Sequence, residues 1–196
     1  KQCKKIKQKG YKVYVQPMVS LNYTDEEFIE MLKIINTISP FAFYIVDSFG
    51  MMKNKDLIRL FYLVEHNLDS RILIGFHSHN NMHLAFSNAQ ALSEINTSRS
   101  LIIDSSIFGM GRGAGNCTLE MLMGFLKNPK YKILPVLKFV QNDIEKLKAE
   151  GVVWGYDVPY LCTGILNLHP RSAIAAMHDN DKDYSNFYIG LWDKDI

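Results

Sequence analysis

Four short apolar runs recur along the chain at nearly constant spacing: Lys12–Val19, Ala42–Asp47, Arg71–His77 and Leu101–Ile107. Each is rich in β-branched or aromatic residues and about as long as a strand. Each is also nearly continuous in its apolar character, as strands buried on both faces of a parallel sheet are. Between the runs the period becomes helical. Thr24 and Glu27 form a capping-box pair ahead of Phe28, Met31, Leu32 and Ile35. Leu57, Leu60, Phe61 and Val64 repeat the pattern, and Ala85, Ala89 and Leu92 make a small-residue face. Thr118 stands as an N-cap ahead of Leu122, Phe125 and Leu126.

Four strand–helix units in succession predict an α/β fold, a parallel sheet with helical crossovers. Half of a (β/α)8 TIM barrel and an open doubly wound sheet both satisfy the period. The strand ends favour the barrel. Gln16 and Ser20, Asp47 and Ser48, His77, His79 and Asn80, and Asp104, Ser105 and Ser106 put polar groups at the end of every strand. A doubly wound sheet would gather them at one switch point. The other four barrel strands are expected from sequence beyond this chain or from a second copy. The chain begins in what reads as the end of a helix, and the natural protein is expected to extend upstream.

Beyond residue 130 the pattern changes. Residues 133–149 read as one amphipathic helix with Leu137, Val140, Ile144 and Leu147 on its face. Gly151–Pro159 reads as a loop, and a further helical stretch is expected after Pro170. The division expected is residues 1–130 as barrel and 131–196 as a helical extension.

Composition changes this picture little. The 196 residues are 47% hydrophobic and 21% charged, with a net charge of +2, so neither a nucleic-acid nor a membrane partner is expected. The run of Lys1, Lys4, Lys5, Lys7, Lys9 and Lys12 reads as a solvated helix end. Cys3, Cys117 and Cys162 are odd in number and widely spaced, which gives no disulfide framework and makes a reducing cytoplasm the expected compartment. No apolar stretch approaches the roughly 20 residues of a membrane span, and no signal-peptide pattern is present.

Three segments carry candidate chemistry. In Gly75-Phe76-His77-Ser78-His79-Asn80-Asn81, alternation along a strand projects His77 and His79 to the same side. The pair is either a metal grip or a hydrogen-bonded polar cluster; with a carboxylate it would suit Mn²⁺, Zn²⁺, Co²⁺ or Fe²⁺ better than Ca²⁺. In Gly109-Met110-Gly111-Arg112-Gly113-Ala114-Gly115-Asn116, alternating glycines let backbone approach a ligand closely or simply close a tight loop. Asn116 could add an amide oxygen to a metal. The third segment runs from Trp154 through Tyr160 to His169 and Arg171. It reads as a packed interface or as a cover over the barrel mouth, with Tyr160 or His169 as proton donor. Asp47 and Ser48 close the second strand, where a carboxylate serves structure or chemistry and a hydroxyl can bind a substrate carboxylate. His83 and Cys117 carry no sign of activation.

The His-x-His-Asn and Gly-x-Gly-x-Gly-x-Gly-Asn segments, with Asp104 between them and Leu119-Glu120 after, resemble the last two barrel strands of the HMG-CoA-lyase-like metal-dependent family. The resemblance runs from about residue 10 to residue 176, and within the family it is closest to the 4-hydroxy-2-oxovalerate aldolases. It implies that the chain holds the last four βα units of a barrel followed by a helical extension. It implies His77 and His79 as metal ligands with Asn116 close by, and Ser48 on the substrate carboxylate. Asp47, Gly111 and Gly113 are the other substrate-side candidates. His169 falls about where the aldolases have a catalytic tyrosine, a departure from their pattern. The family's first-strand Arg-Asp pair is absent from this sequence, so the chain alone is expected to be inactive.

The activity implied is metal-dependent cleavage of a 4-hydroxy-2-oxo acid to pyruvate and an aldehyde through a metal-stabilised enolate. Mn²⁺ is the expected metal, with Mg²⁺, Co²⁺ or Zn²⁺ as substitutes. An acyl-CoA/2-oxo acid condensing synthase and a non-catalytic scaffold are the alternatives. An aldehyde dehydrogenase partner is a further implication. The aromatic residues Tyr184, Phe187, Tyr188 and Trp192 point to a docking surface and a homo-oligomer.

Overall fold

Each predicted strand–helix unit forms in the chain, here described by a computed structural model over residues 2–179 and 182–193. Lys1 of the basic run, and residues 180, 181 and 194–196 of the expected extension, lie outside the described residues. The first part of the chain runs α1 (Gln2–Gln8), β1 (Tyr14–Val15), α2 (Asp25–Ile38), β2 (Ala42–Asp47), α3 (Asn54–Asn67), β3 (Leu73–Ser78), α4 (Ala85–Ser93), β4 (Leu101–Ile103) and α5 (Leu119–Leu126). The strands form one parallel sheet in the order β1-β2-β3-β4. The Thr24–Glu27 capping box starts α2: Thr24 Oγ1 accepts from the Glu27 N–H at 3.2 Å, and the Glu27 carboxylate accepts from the Thr24 N–H at 2.9 Å.

Strand alternation sorts the side chains onto two faces. Phe43 and Ile45 of β2 and Ile74 and Phe76 of β3 pack with Phe28 and Leu32 of α2, Leu57, Leu60, Phe61 and Val64 of α3, and Leu92 of α4. Each such side chain contributes about 1.5–3 kcal/mol by leaving water, so this layer anchors the sheet. The opposite face carries Ala42, Tyr44 and Val46, packed with Phe41, Leu73 and Ile102. Gly75 and His77 share that face by the same alternation. It is the face turned away from the helices.

The edge strands are shorter than the sequence pattern predicts. Two residues of Lys12–Val19 pair with β2, and three residues of Leu101–Ile107 pair with β3. An edge strand has a hydrogen-bonding neighbour on one side only, so pairing stops where the chain turns. The helix expected over 133–149 forms as α6 (Ile133–Phe139), a π turn (Val140–Ile144) and α7 (Glu145–Ala149). A π turn widens the spiral, which shifts an apolar stripe spaced for 3.6 residues per turn. Ile144 is buried, but Leu137 is 47% exposed. Helix α8 (Val158–Ile165) occupies the end of the expected loop; α9 (Arg171–His178) forms after Pro170 as expected, and α10 (Tyr184–Trp192) follows. Among the described residues no helix is long and apolar enough to cross a membrane.

Candidate active site

The site is built on the end of β3. Val46 pairs with His77 and Asp47 with Ser78, and the ladder runs on to the His79 N–H, which donates to the Asp47 carbonyl at 3.1 Å. Regular pairing this far keeps the alternation intact, so His77 and His79 emerge together with ring centroids 5.3 Å apart, edge to face. Burial, the neighbouring His77 and the Arg112 cation lower the His79 proton affinity to a pKa of about 4. His79 is therefore neutral at pH 7, the form that binds metals.

His77 is oriented by a carboxylate from the next strand. The Asp104 N–H donates to the Phe76 carbonyl at 2.9 Å, which fixes the residue beside β3 as the chain leaves β4. His77 Nδ1 lies 3.1 Å from Asp104 Oδ2. The same carboxylate accepts the Tyr44 hydroxyl at 3.1 Å and the Gln16 amide at 3.2 Å. Burial first, and then Asp104, push the Tyr44 hydroxyl's pKa upward, so it remains a donor. An imidazole that gives its Nδ1–H to a carboxylate keeps Nε2 free as an acceptor.

The glycine loop brings the third group. Residues 79 and 116 form an antiparallel bridge, and the Asn80 N–H donates to the Gly115 carbonyl at 3.1 Å. The Asn116 amide NH₂ donates to the Met110 carbonyl at 3.1 Å, while its Oδ1 is buried without a hydrogen-bond partner. A Cβ on Gly111 would lie 2.5 Å from the Asn116 amide nitrogen, and one on Gly115 would lie 2.3 Å from the Gly109 carbonyl oxygen. The loop can fold this tightly only with glycine at both positions. His77, Ile103, Asp104, Ser105 and Asn116 line a cavity of about 340 Å³.

The His77 imidazole and Asn116, whose amide oxygen is buried and unpaired, line one cavity, and the His79 ring lies 5.3 Å from that of His77. These donor types fit a divalent cation, and an unpaired buried acceptor is costly unless something occupies it. The set is incomplete by itself. Among the described residues no group of three or more His, Cys, Asp or Glu is placed to hold a metal ion.

The HMGL-like family model matches residues 1–146. This chain belongs to the HMGL-like family. It is 32% identical over 109 residues to 4-hydroxy-2-oxovalerate aldolase of Pseudoalteromonas translucida, a stretch covering 56% of this chain and 31% of that protein. It is 33% identical over 102 residues to 4-hydroxy-2-oxovalerate aldolase of Stutzerimonas stutzeri, covering 52% and 29% respectively. The chain spans about a third of the length of the curated relatives it matches. Among solved structures it is similar to the N-terminal domain of a candidate aldolase from Bacteroides vulgatus, with TM-score 0.73 and 27% identity over 89% of this chain and 57% of that one. Bacillus subtilis HMG-CoA lyase, at TM-score 0.60 and 13% identity over 75% and 52%, shares the fold. The four parallel strands with alternating helices are part of the TIM barrel of these HMGL-like proteins.

In this HMGL-like chain the remaining sequence candidates fall in different places. The Asp47 carboxylate is 1% exposed and accepts the Met51 and Met52 N–H groups at 3.1 Å each. Its oxygens close the turn after β2 and do not join the histidines; burial pushes its pKa up to about 6. Ser48 Oγ accepts the Val19 N–H at 2.7 Å and so fixes the loop after β1. Gly113 packs under the Tyr160 ring, which a Cβ there would meet at 3.1 Å. Tyr160 is buried with Ala114 and Ala173, and it lines a separate cavity of about 370 Å³ with Trp154 and Tyr156. His169 is exposed and edge-on to Phe49 at 6.0 Å. Partial burial, Arg112 and Arg171 lower its pKa.

Sequence reading gave no role to Asp104 as an orienting group, nor to Tyr44, Gln16 or Arg112. The Arg112 cation contributes to the lowered proton affinity of both His79 and His169. It is the one basic residue among the loop glycines, and that was a usable signal.

Proposed function

We propose that the protein this chain belongs to is a divalent-metal-dependent aldolase that cleaves a 4-hydroxy-2-oxo acid to pyruvate and an aldehyde. The observation that carries the reading is that Asn116, whose Oδ1 has no partner, shares a cavity with His77 and a backbone bridge with His79, the first imidazole oriented by Asp104 and the second kept neutral by burial. His77, His79 and Asn116 would hold the cation, with Mn²⁺ preferred and Mg²⁺, Co²⁺ or Zn²⁺ able to substitute. When bound, a divalent cation supplies Lewis acidity toward the oxygens of a 2-oxo acid.

The chain's own residues bind and move protons. Arg112 and Ser48 are the groups proposed for the substrate carboxylate, and Gly111 and Gly113 let the loop close over it. His169, with its proton affinity lowered, is the proposed base for the 4-hydroxyl. The hydroxyl proton passes to His169, the C3–C4 bond breaks, and C3 regains a proton to give pyruvate and the aldehyde. Tyr160, whose hydroxyl is kept protonated by burial, is the second proton-donor candidate. Residues 1–130 are the proposed catalytic part and 131–196 a helical extension beside it. The free Cys3, Cys117 and Cys162 support the cytoplasm as compartment. The exposed Ile189 and Trp192 support a homo-oligomer, or docking of a dehydrogenase that takes up the aldehyde.

Pyruvate release from a 4-hydroxy-2-oxo acid by the full-length protein, measured with and without a chelator, tests the reading. Turnover that stops on chelation and returns with Mn²⁺ supports it, and turnover indifferent to the chelator overturns it.

A further inference from the structure

Phe108 sits at the root of the glycine loop in a conformation that side chains with a Cβ rarely adopt, with φ 56° and ψ 25°. Three elements hold it there. The Glu120 carboxylate of α5 accepts the Phe108 N–H at 3.0 Å. The Trp154 indole N–H donates to the Phe108 carbonyl at 3.0 Å, and the two rings meet edge to face at 6.3 Å. Lys148 of α7 places its ammonium 4.4 Å from the Phe108 ring centre.

The segment carrying Trp154 also meets the loop further along. The Gly155 N–H donates to the Gly113 carbonyl at 3.0 Å, and a Cβ on Gly115 would lie 3.6 Å from Trp154 Cδ1. The loop is therefore tied on two sides: Asn80 of the β3 end holds Gly115, and Trp154 and Gly155 hold Phe108 and Gly113. Asn116, with its partnerless Oδ1, follows directly on the last of these ties. The Asn116 N–H donates to the Gly109 carbonyl at 3.0 Å, one residue beyond Phe108. The carbonyl that Trp154 holds is therefore one peptide away from the carbonyl that holds the Asn116 backbone.

We infer that Trp154 is a positioning residue for the site: through the Phe108 carbonyl it sets the glycine loop so that Asn116 faces His77 and His79. The segment after α7 is then part of the site's scaffold, and the affinity of the site depends on a residue that does not touch its ligand. The affinity consequence rests on the metal reading above; the loop consequence does not.

The test compares the full-length protein with its Trp154→Phe variant, which keeps an aromatic ring at the position and removes the N–H donor together with part of the indole. Two quantities are measured: the Mn²⁺ dissociation constant by calorimetry, and amide hydrogen exchange in residues 108–117 with β2 and β3 as internal reference. The expected result is exchange that is faster in 108–117 alone and Mn²⁺ binding weakened about 10-fold. If the parent binds no Mn²⁺ but the loop still exchanges faster in the variant, the positioning role stands and the metal reading fails. Unchanged exchange and affinity overturn the inference. Exchange accelerated equally in β2 and β3 also overturns it, because Trp154 would then support the whole fold and not the loop.

Discussion

Asp104 holds His77 through a single contact, Nδ1 to Oδ2 at 3.1 Å, and that carboxylate is itself held by Tyr44 and Gln16. The contact fixes which imidazole nitrogen faces the cavity. Asp104→Ala is expected to weaken Mn²⁺ binding about 10- to 100-fold, the usual cost of losing such an orienting partner. Asp104→Asn, which can still accept from Nδ1–H, is expected to lose less. Calorimetric titration of both variants checks the order; equal affinity in all three proteins would remove Asp104 from the account.

Gly75 and Tyr44 pair across β2 and β3, and a Cβ on Gly75 would lie 2.5 Å from the Tyr44 ring. Gly75→Ala must displace that ring and with it the hydroxyl on Asp104. The expected cost is roughly 1–3 kcal/mol of stability, as for other overpacked sites. A fall in metal affinity is expected to accompany it. Tyr44→Phe removes the hydroxyl without crowding, so it should lower affinity with a smaller loss of stability. Denaturant titration beside calorimetry separates the two effects.

Stability of the metal-free protein is expected to depend on His79. Its pKa is lowered to about 4 in the folded state, chiefly by burial, against 6.5 for the free side chain. A depressed histidine pKa stabilises the fold above pH 6.5, and that contribution is lost as the pH falls toward 4. The loss amounts to about 3 kcal/mol from the size of the shift. Asp47 works with the opposite sign: its raised pKa of about 6 destabilises the fold as the pH rises from 3.8. Comparing the protein with a His79→Asn variant across pH 7 to 4 isolates the histidine. The stability gap should shift toward the variant as the pH falls, and a gap constant with pH would contradict the burial of a neutral His79.

Much of the scaffold was legible because its signals are local. β2 matches its apolar run end to end, since it has a partner on each side and is buried on both faces, and the Thr24–Glu27 box is read directly from spacing. His77 and His79 share a side because β3 is regular. What escaped depends on contacts between distant residues. Asp104 reaches His77 across 27 positions, and Trp154 reaches Phe108 across 46. Helix α8 was missed although its start was marked: Asp157 caps the Val158 N–H at 2.7 Å and Pro159 follows in the first turn, a usual helix opening. Asp47, at a strand end, is open to a structural or a chemical role in the sequence. Its burial against the turn amides of Met51 and Met52 cannot be read from its position in the sequence.

The most direct test of the central claim is metal content by elemental analysis, made on the full-length protein and on a His77→Ala/His79→Ala variant after equal exposure to Mn²⁺. Near-stoichiometric metal in the parent and none in the variant is the predicted result. Equal or negligible metal in both would mean that the paired histidines, and the partnerless oxygen of Asn116 beside them, serve something other than a cation.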